Sequence, residues 1–114
     1  MLRKTRRGDR QVSVRLIDPG PWLGCTPVLL DDIVSTGHTM LAAAQALRKR
    51  GLSAPLCVVV HALFEDTALQ ELLGDQVARV VSTDSIAHPS NAIALSAALA
   101  KAVRQLATKA SNTP

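Results

Sequence analysis

Short apolar runs alternate with stretches of helical periodicity from residue 28 onward, and that alternation limits the fold to few choices. The runs are "VLLDDIV" from Val28, "LCVVVHALF" from Leu56 and "ARVVSTD" from Ala78. Each is short and bounded by turn residues or charges, so each reads as a buried strand and not a helix. Between the first two, from His38 to Arg50, the residues Met40, Leu41, Ala44 and Leu47 share one helical face, with Gly51 as a C-cap. The "RKR" of the last turn suits the negative end of the helix dipole. "EDTALQELLG" reads as a short helix closed by Gly74. Asn91 to about Thr108 reads as a long alanine-rich helix with Ile93, Leu95, Leu99, Val103 and Leu106 as its apolar positions. Strands alternating with helices predict an α/β fold: a parallel sheet of βαβ units with right-handed crossovers. Upstream, "QVSVRL" alternates at period two and places Val12, Val14 and Leu16 on one face of a further strand, before the turn-rich "DPGPWLGCTP".

A chain of 114 residues builds one modest core, and 47% apolar with 19% charged residues is an ordinary globular balance. The run "APLCVVVHALF" is interrupted by His61 and falls short of the roughly 20 residues that span a bilayer, so no membrane partner is expected. The first ten residues hold five Lys or Arg against one Asp, a net +4 that equals the formal charge of the whole chain. The excess is therefore local, no basic face spreads over the domain, and no nucleic acid partner is expected. No secretory h-region follows those charges, and Cys25 and Cys57 lack the spacing of a metal or redox pair. Both thiols read as small buried hydrophobes in a reducing, cytoplasmic setting.

Function concentrates in "DDIVSTGHT", where a strand hands over to a helix. In open α/β sheets, ligands bind beyond the carboxyl ends of the strands. Gly37 permits a tight turn, the amides from Ser35 to Thr39 can converge at a helix N-terminus, and the hydroxyls of Ser35, Thr36 and Thr39 add neutral donors. That is a phosphate cradle. It lacks the Lys of a Walker loop and the three glycines of a dinucleotide fingerprint. Asp31 and Asp32 would repel a phosphate unless they face the other end of the ligand. A pentose 5-phosphate meets that condition, with carboxylates on its vicinal hydroxyls and Mg2+ screening the remaining charge. The bland alternative is an Asp pair at a strand end followed by an ordinary Ser-Thr helix cap.

"VLLDDIVSTGHTM" resembles the phosphoribosyl pyrophosphate loop of the type I phosphoribosyltransferase fold. By that resemblance Asp31 and Asp32 hold the ribose hydroxyls and the metal, while Ser35, Thr36, Gly37, His38 and Thr39 hold the 5-phosphate. Three further stretches resemble the ribose-phosphate pyrophosphokinases. "RKTRRGD" is similar to their catalytic flexible loop, with Lys4 and Arg6 at its Lys-x-Arg positions. "VVVHALFEDTALQELL" and "VVSTDSIAHPSNAIALSAALA" are similar to the strands and helices that follow the ribose loop. The resemblance implies transfer of a diphosphate from ATP to ribose 5-phosphate, with Mg2+ as cofactor and Lys4 and Arg6 as catalytic cations.

It also implies a division of the chain into a basic flexible loop at 1–10, part of a phosphoribosyltransferase-like α/β domain at 11–108, and a flexible tail at 109–114. The family's ATP site is built upstream of the basic loop, so only the ribose 5-phosphate half is expected here, inactive alone. An unpaired sheet edge would then favour a homo-oligomer or association with a longer homologous chain. A base phosphoribosyltransferase and a non-catalytic sugar phosphate-binding partner remain as alternatives. Elsewhere, His61 reads as a core or edge histidine, Asp84 and Ser85 as cap or turn residues, His88 as a turn residue, and Trp22 as cover for a core edge.

Overall fold

The computed structural model describes residues 2–7, 11–16 and 20–112. Strand β1 (Leu2–Arg7) pairs antiparallel with β2 (Gln11–Leu16), from Leu2 opposite Leu16 to Arg7 opposite Gln11. Residues 2–7 were expected within a flexible loop, and here they form a paired strand. The alternating "QVSVRL" offers them a partner, and pairing satisfies backbone groups that a loop would leave to water. Lys4 and Arg6 occupy the register positions opposite Val14 and Val12. The rest of the expected loop, residues 1 and 8–10, lies outside the described residues.

After a single 3-10 turn at Gly20–Trp22 the chain enters β3 (Val28–Val34), α1 (His38–Lys49), β4 (Leu56–Ala62), α2 (Asp66–Leu73), β5 (Arg79–Thr83), β6 (Asn91–Ile93) and α3 (Ser96–Ser111). Strands β3 to β6 form one parallel sheet in sequence order. This is the α/β architecture that the alternation predicts. Helix α1 ends as its sequence requires: Gly51 sits at φ +85°, its amide donates to Arg48 O at 3.0 Å, and Leu52's amide donates to Leu47 O at 3.2 Å. That is a Schellman closure, sealed by contact between buried Leu47 and Leu52.

The core lies on one face of the sheet. Cys57 and Val59 are fully buried there with Val34, Met40, Ala62, Phe64, Leu69 and Leu73, and Leu29 joins this group to Leu47 and Leu52. The opposite face is open: Val28 and Leu30 of β3 are 58% and 74% exposed. The expectation of a strand buried on both sides therefore holds for one side of β3. Among the described residues β3 pairs with β4 alone, and no helix covers its second face.

Two boundaries differ at the C-terminal end. Residues 91–93, expected to start the last helix, form β6 instead. Asn91 Nδ2 donates to Ser82 Oγ at 2.9 Å and to Thr83 O at 2.7 Å, so side-chain bonds fasten this segment to β5 before a helix can begin. Asp84 Oδ1 then accepts the Leu95 amide at 2.9 Å just ahead of α3. The helix runs on to Ser111, through residues 109–111 that were expected as a flexible tail, because alanine and long side chains sustain it. Residues 113–114 lie outside the described set. None of the α3 residues is buried, and Leu99, Val103 and Leu106 stand in solvent. Trp22 is also exposed, so it covers no core edge, and Cys25 is exposed where a buried thiol was expected. Trp22 ends the 3-10 turn and Cys25 follows it, both before β3 begins.

Candidate functional site

Strand β3 ends at Val34 and α1 begins at His38, so residues 35–37 carry the chain across the carboxyl edge of the sheet. Gly37 makes the corner. Its φ of +82° lies in the left-handed region, and a Cβ there would stand 2.6 Å from Leu69 Cδ1 and 3.0 Å from Leu72 Cδ2. Both the backbone and the neighbouring helix α2 thus call for glycine. Gly37 is also the N-cap residue of α1 and has no side chain to cap with. The first α-helical bond runs from Leu41's amide to Gly37 O at 2.9 Å. His38's amide reaches Thr36 Oγ1 at 3.5 Å, too long to count as a cap. The Ser-Thr cap of the bland alternative is absent. The positive end of a twelve-residue helix is left for another acceptor.

That helix end opens on a cleft of about 260 Å³ lined by Asp31, Asp32, Ser35, Thr36, Gly37 and Thr39, among others. Six of the seven residues expected to bind substrate are therefore brought together. The seventh, His38, is exposed beside the cleft and does not line it. A larger cleft, about 550 Å³, lies among Leu73, Arg79 and Asn91, and none of the expected substrate-binding residues from Asp31 to Thr39 borders it.

The two aspartates share their charge unequally. Partial burial, and then the hydrogen bond with Asp32, raises the Asp31 carboxyl above the ordinary carboxylate value. The bond from Asp31 and the Ile33 amide, 2.8 Å from Asp32 Oδ1, lower Asp32. Asp32 is thus the more readily ionised of the two, and Asp31 favours a proton, a ligand hydroxyl or a cation. Two carboxylates with exposed oxygens suit a hard divalent ion that draws its remaining ligands from water and substrate. Among the described residues no group of three or more His, Cys, Asp or Glu side chains forms a dedicated metal cage.

The next strand adds residues that sequence reasoning left in structural roles. Register places His61 of β4 opposite Ile33 of β3, next to the acidic pair. Its Nδ1 lies 2.8 Å from Ser85 Oγ. Asp84 accepts the amide of Leu95, the residue just before α3, and His88 sits in the expected turn with its Nδ1 2.7 Å from Ser90 Oγ. The pairing of His61 with Ser85 spans 24 positions, and no local pattern signals it.

The profile of the phosphoribosyl transferase domain matches residues 2–98. The chain belongs to the phosphoribosyl transferase domain family. Within that family it is similar to ribose-phosphate pyrophosphokinases. It is 35% identical to that of Methanopyrus kandleri over 83 residues, which cover 73% of this chain and 28% of the relative. It is 33% identical to that of Haemophilus influenzae over 92 residues, 74% of this chain and 29% of the relative. With that of Sulfurisphaera tokodaii the identity is 39% over 59 residues, 52% of this chain and 20% of the relative. The chain thus spans under a third of the relatives it matches. The parallel four-stranded sheet with alternating helices is consistent with an α/β phosphoribosyltransferase domain, and the cleft lies at its carboxyl edge. Among the described residues no helix is long and apolar enough to cross a membrane.

Proposed function

We propose that the cleft binds ribose 5-phosphate and that this chain carries the ribose-phosphate half of a ribose-phosphate diphosphokinase. One observation carries the reading: an uncapped helix N-terminus and two carboxylates open on the same small cleft. The helix end and the hydroxyls of Ser35, Thr36 and Thr39 suit the phosphate, and Asp31 and Asp32 suit the vicinal hydroxyls of the sugar. Relatives named ribose-phosphate pyrophosphokinase point to the reaction, in which a diphosphate moves from ATP to the anomeric hydroxyl and AMP leaves.

In that chemistry negative charge is redistributed over phosphoryl oxygens, and cations that hold charge in place favour it. Lys4 serves as a point charge and Arg6 as a bidentate fork. Mg2+, when held by Asp31 and Asp32, supplies a hard cation that screens the carboxylates from the phosphate groups. Asp32 keeps the sugar hydroxyls oriented while the Gly37 turn fixes the 5-phosphate, so the anomeric oxygen is presented at a constant position. The open edge of β3 favours pairing with a second copy or with a longer homologous chain.

Calorimetric titration with ribose 5-phosphate tests the reading. Saturable binding that weakens when Mg2+ is removed is expected. No binding in either condition overturns it. A preference for phosphoribosyl pyrophosphate together with a purine or pyrimidine moves the assignment to a base phosphoribosyltransferase. Since the chain spans under a third of the relatives' length, the isolated 114 residues should form no AMP from ATP and ribose 5-phosphate. AMP formation by the purified chain would overturn the half-site assignment.

A further inference from the structure

We propose that α3 is an exchange arm: its apolar stripe covers the open face of the sheet in a second copy of this chain, and the second copy returns the same contact, giving a two-fold dimer. The contact uses the face of β3 and not its edge, and it does not depend on what the cleft binds.

The two surfaces match in kind. On the side of the sheet turned from the core, register sets Val28 of β3 beside Leu56 of β4, and Leu30 beside Val58 and Val81 across β4 and β5. Cys57 and Val59, which alternate with those β4 residues, are fully buried in the core with residues of α1 and α2. The open patch is thus apolar across three strands, and a parallel sheet is rarely left bare on one face. In α3 the residues Leu99, Val103 and Leu106 are 59–68% exposed. They fall within an arc of about 60° at roughly 100° per residue, a single stripe with no partner of its own.

A second copy is the occupant because each chain carries both halves of the contact and does not join them. Helix α3 follows β6, at the edge of the sheet opposite β3, and the Leu95 amide just ahead of it is held by Asp84 Oδ1 at 2.9 Å. The area is sufficient. The chain exposes 8006 Å², against about 6,000 Å² for a compact monomer of 12.1 kDa. That surplus, about 2,000 Å², exceeds the ~800 Å² that each partner of a standard interface covers. Charge favours the same approach. Helix α3 carries Lys101, Arg104 and Lys109 with no acidic residue, and β3 runs from Leu30 straight into Asp31 and Asp32, so a basic helix meets a patch bordered by acid. The three cations lie outside the apolar arc, and docking leaves them hydrated.

Sedimentation velocity over a range of concentrations tests the arm. The unaltered chain should pass from monomer to dimer as concentration rises. Val103→Asp in the arm and Leu30→Lys in the patch alter side chains already in solvent, so each should keep the circular dichroism spectrum of the fold. Each should raise the dimer dissociation constant at least about a hundredfold, because a two-fold dimer contains every contact twice. An equimolar mixture of the two variants should form a dimer tighter than either forms alone, since the intact arm of one meets the intact patch of the other. A helix folded back on its own chain allows no such rescue. The amide protons of α3, free to fray in the single chain, should exchange more slowly as the dimer forms. A chain that stays monomeric at every concentration overturns the proposal. So does association that persists in both variants, which would place the contact at the edge of β3, or loss in one variant alone. A mixture that stays monomeric, or α3 exchange that association leaves unchanged, overturns it too. Should Leu30→Lys not fold, Val28→Lys decides in its place.

Discussion

Replacing Gly37 by alanine perturbs the corner on which both fold and site depend. Two costs add. An L-residue held at φ +82° costs about 1–2 kcal/mol. The new methyl would also stand 2.6 Å from Leu69 Cδ1 and 3.0 Å from Leu72 Cδ2, closer than carbon atoms tolerate. Leu69 is 3% exposed and packs with Met40, Phe64 and Leu73, so it has little room to withdraw. Overpacking of this kind costs about 1–3 kcal/mol. The sum, about 2–5 kcal/mol, is a large part of the ~5–15 kcal/mol by which a domain is stable. Partial relief would come from moving residues 35–37 away from α2, which displaces the amides that face the cleft. Gly37→Ala should therefore lose stability and phosphate affinity together. Urea unfolding gives the first and calorimetric titration with inorganic phosphate the second. Gly24→Ala is the control, since its Cβ would meet nothing within 4 Å. A loss below about 0.5 kcal/mol in Gly37→Ala, with phosphate affinity kept, would refute the argument that this corner demands glycine.

Asp31→Ala and Asp32→Ala should each weaken ribose 5-phosphate measurably through the loss of a charge-assisted hydrogen bond, while His38→Ala, outside the cleft lining, changes little. Equal affinities in all three would refute the geometry. The raised Asp31 carboxyl gives a stability prediction with a definite sign. The folded chain holds its proton to higher pH than the unfolded chain does, so stability declines as pH rises from the ordinary carboxylate value through the folded one, and the penalty is complete above that. Asp31→Asn removes the penalty and still offers an N–H to Asp32. It should be more stable than the unaltered chain at neutral pH, by under about 1 kcal/mol because the group is largely solvated, with the gap closing in acid. Parallel stability profiles from about pH 3 to about pH 7 would count against it. Burial pushes the Cys57 thiol up to about 12, so it stays protonated near neutrality, and Cys25 is exposed. Iodoacetamide should label Cys25 in the folded chain and Cys57 after unfolding, and early labelling of Cys57 would contradict the packing of β4.

What could be read in the sequence was whatever period and spacing encode locally. Strands β3, β4 and β5, helix α1 with its Gly51 closure, and the run from Asp31 to Thr39 are all stretches whose apolar spacing, turn residues or hydroxyl pattern state their role within a dozen positions. Strand β6 was missed because "NAIALSAALA" carries helical periodicity on its own. The side chain of Asn91 overrides it by bonding to Ser82 and Thr83, nine and eight positions back. Strand β1 was read as a loop from the resemblance of "RKTRRGD" to a flexible loop, and a strand without alternation of its own is decided by the partner it pairs with. The open face of β3 was illegible for a related reason: a run such as "VLLDDIV" is compatible with burial on both sides, and only topology says what lies across the edge. His61 and Ser85 join the same class, since they meet through strand register.

The exposed helix α3 has a consequence for how the molecule unfolds. Sixteen residues with none buried add almost nothing to the apolar area that water gains on denaturation. Melting α3 should therefore leave heat capacity and denaturant sensitivity nearly unchanged, and its amide protons should exchange with deuterium through local fraying, well before those of β4. Two populations of protection in one short chain would mark the boundary between the cooperative sheet layer and a helix that answers only to its own propensity.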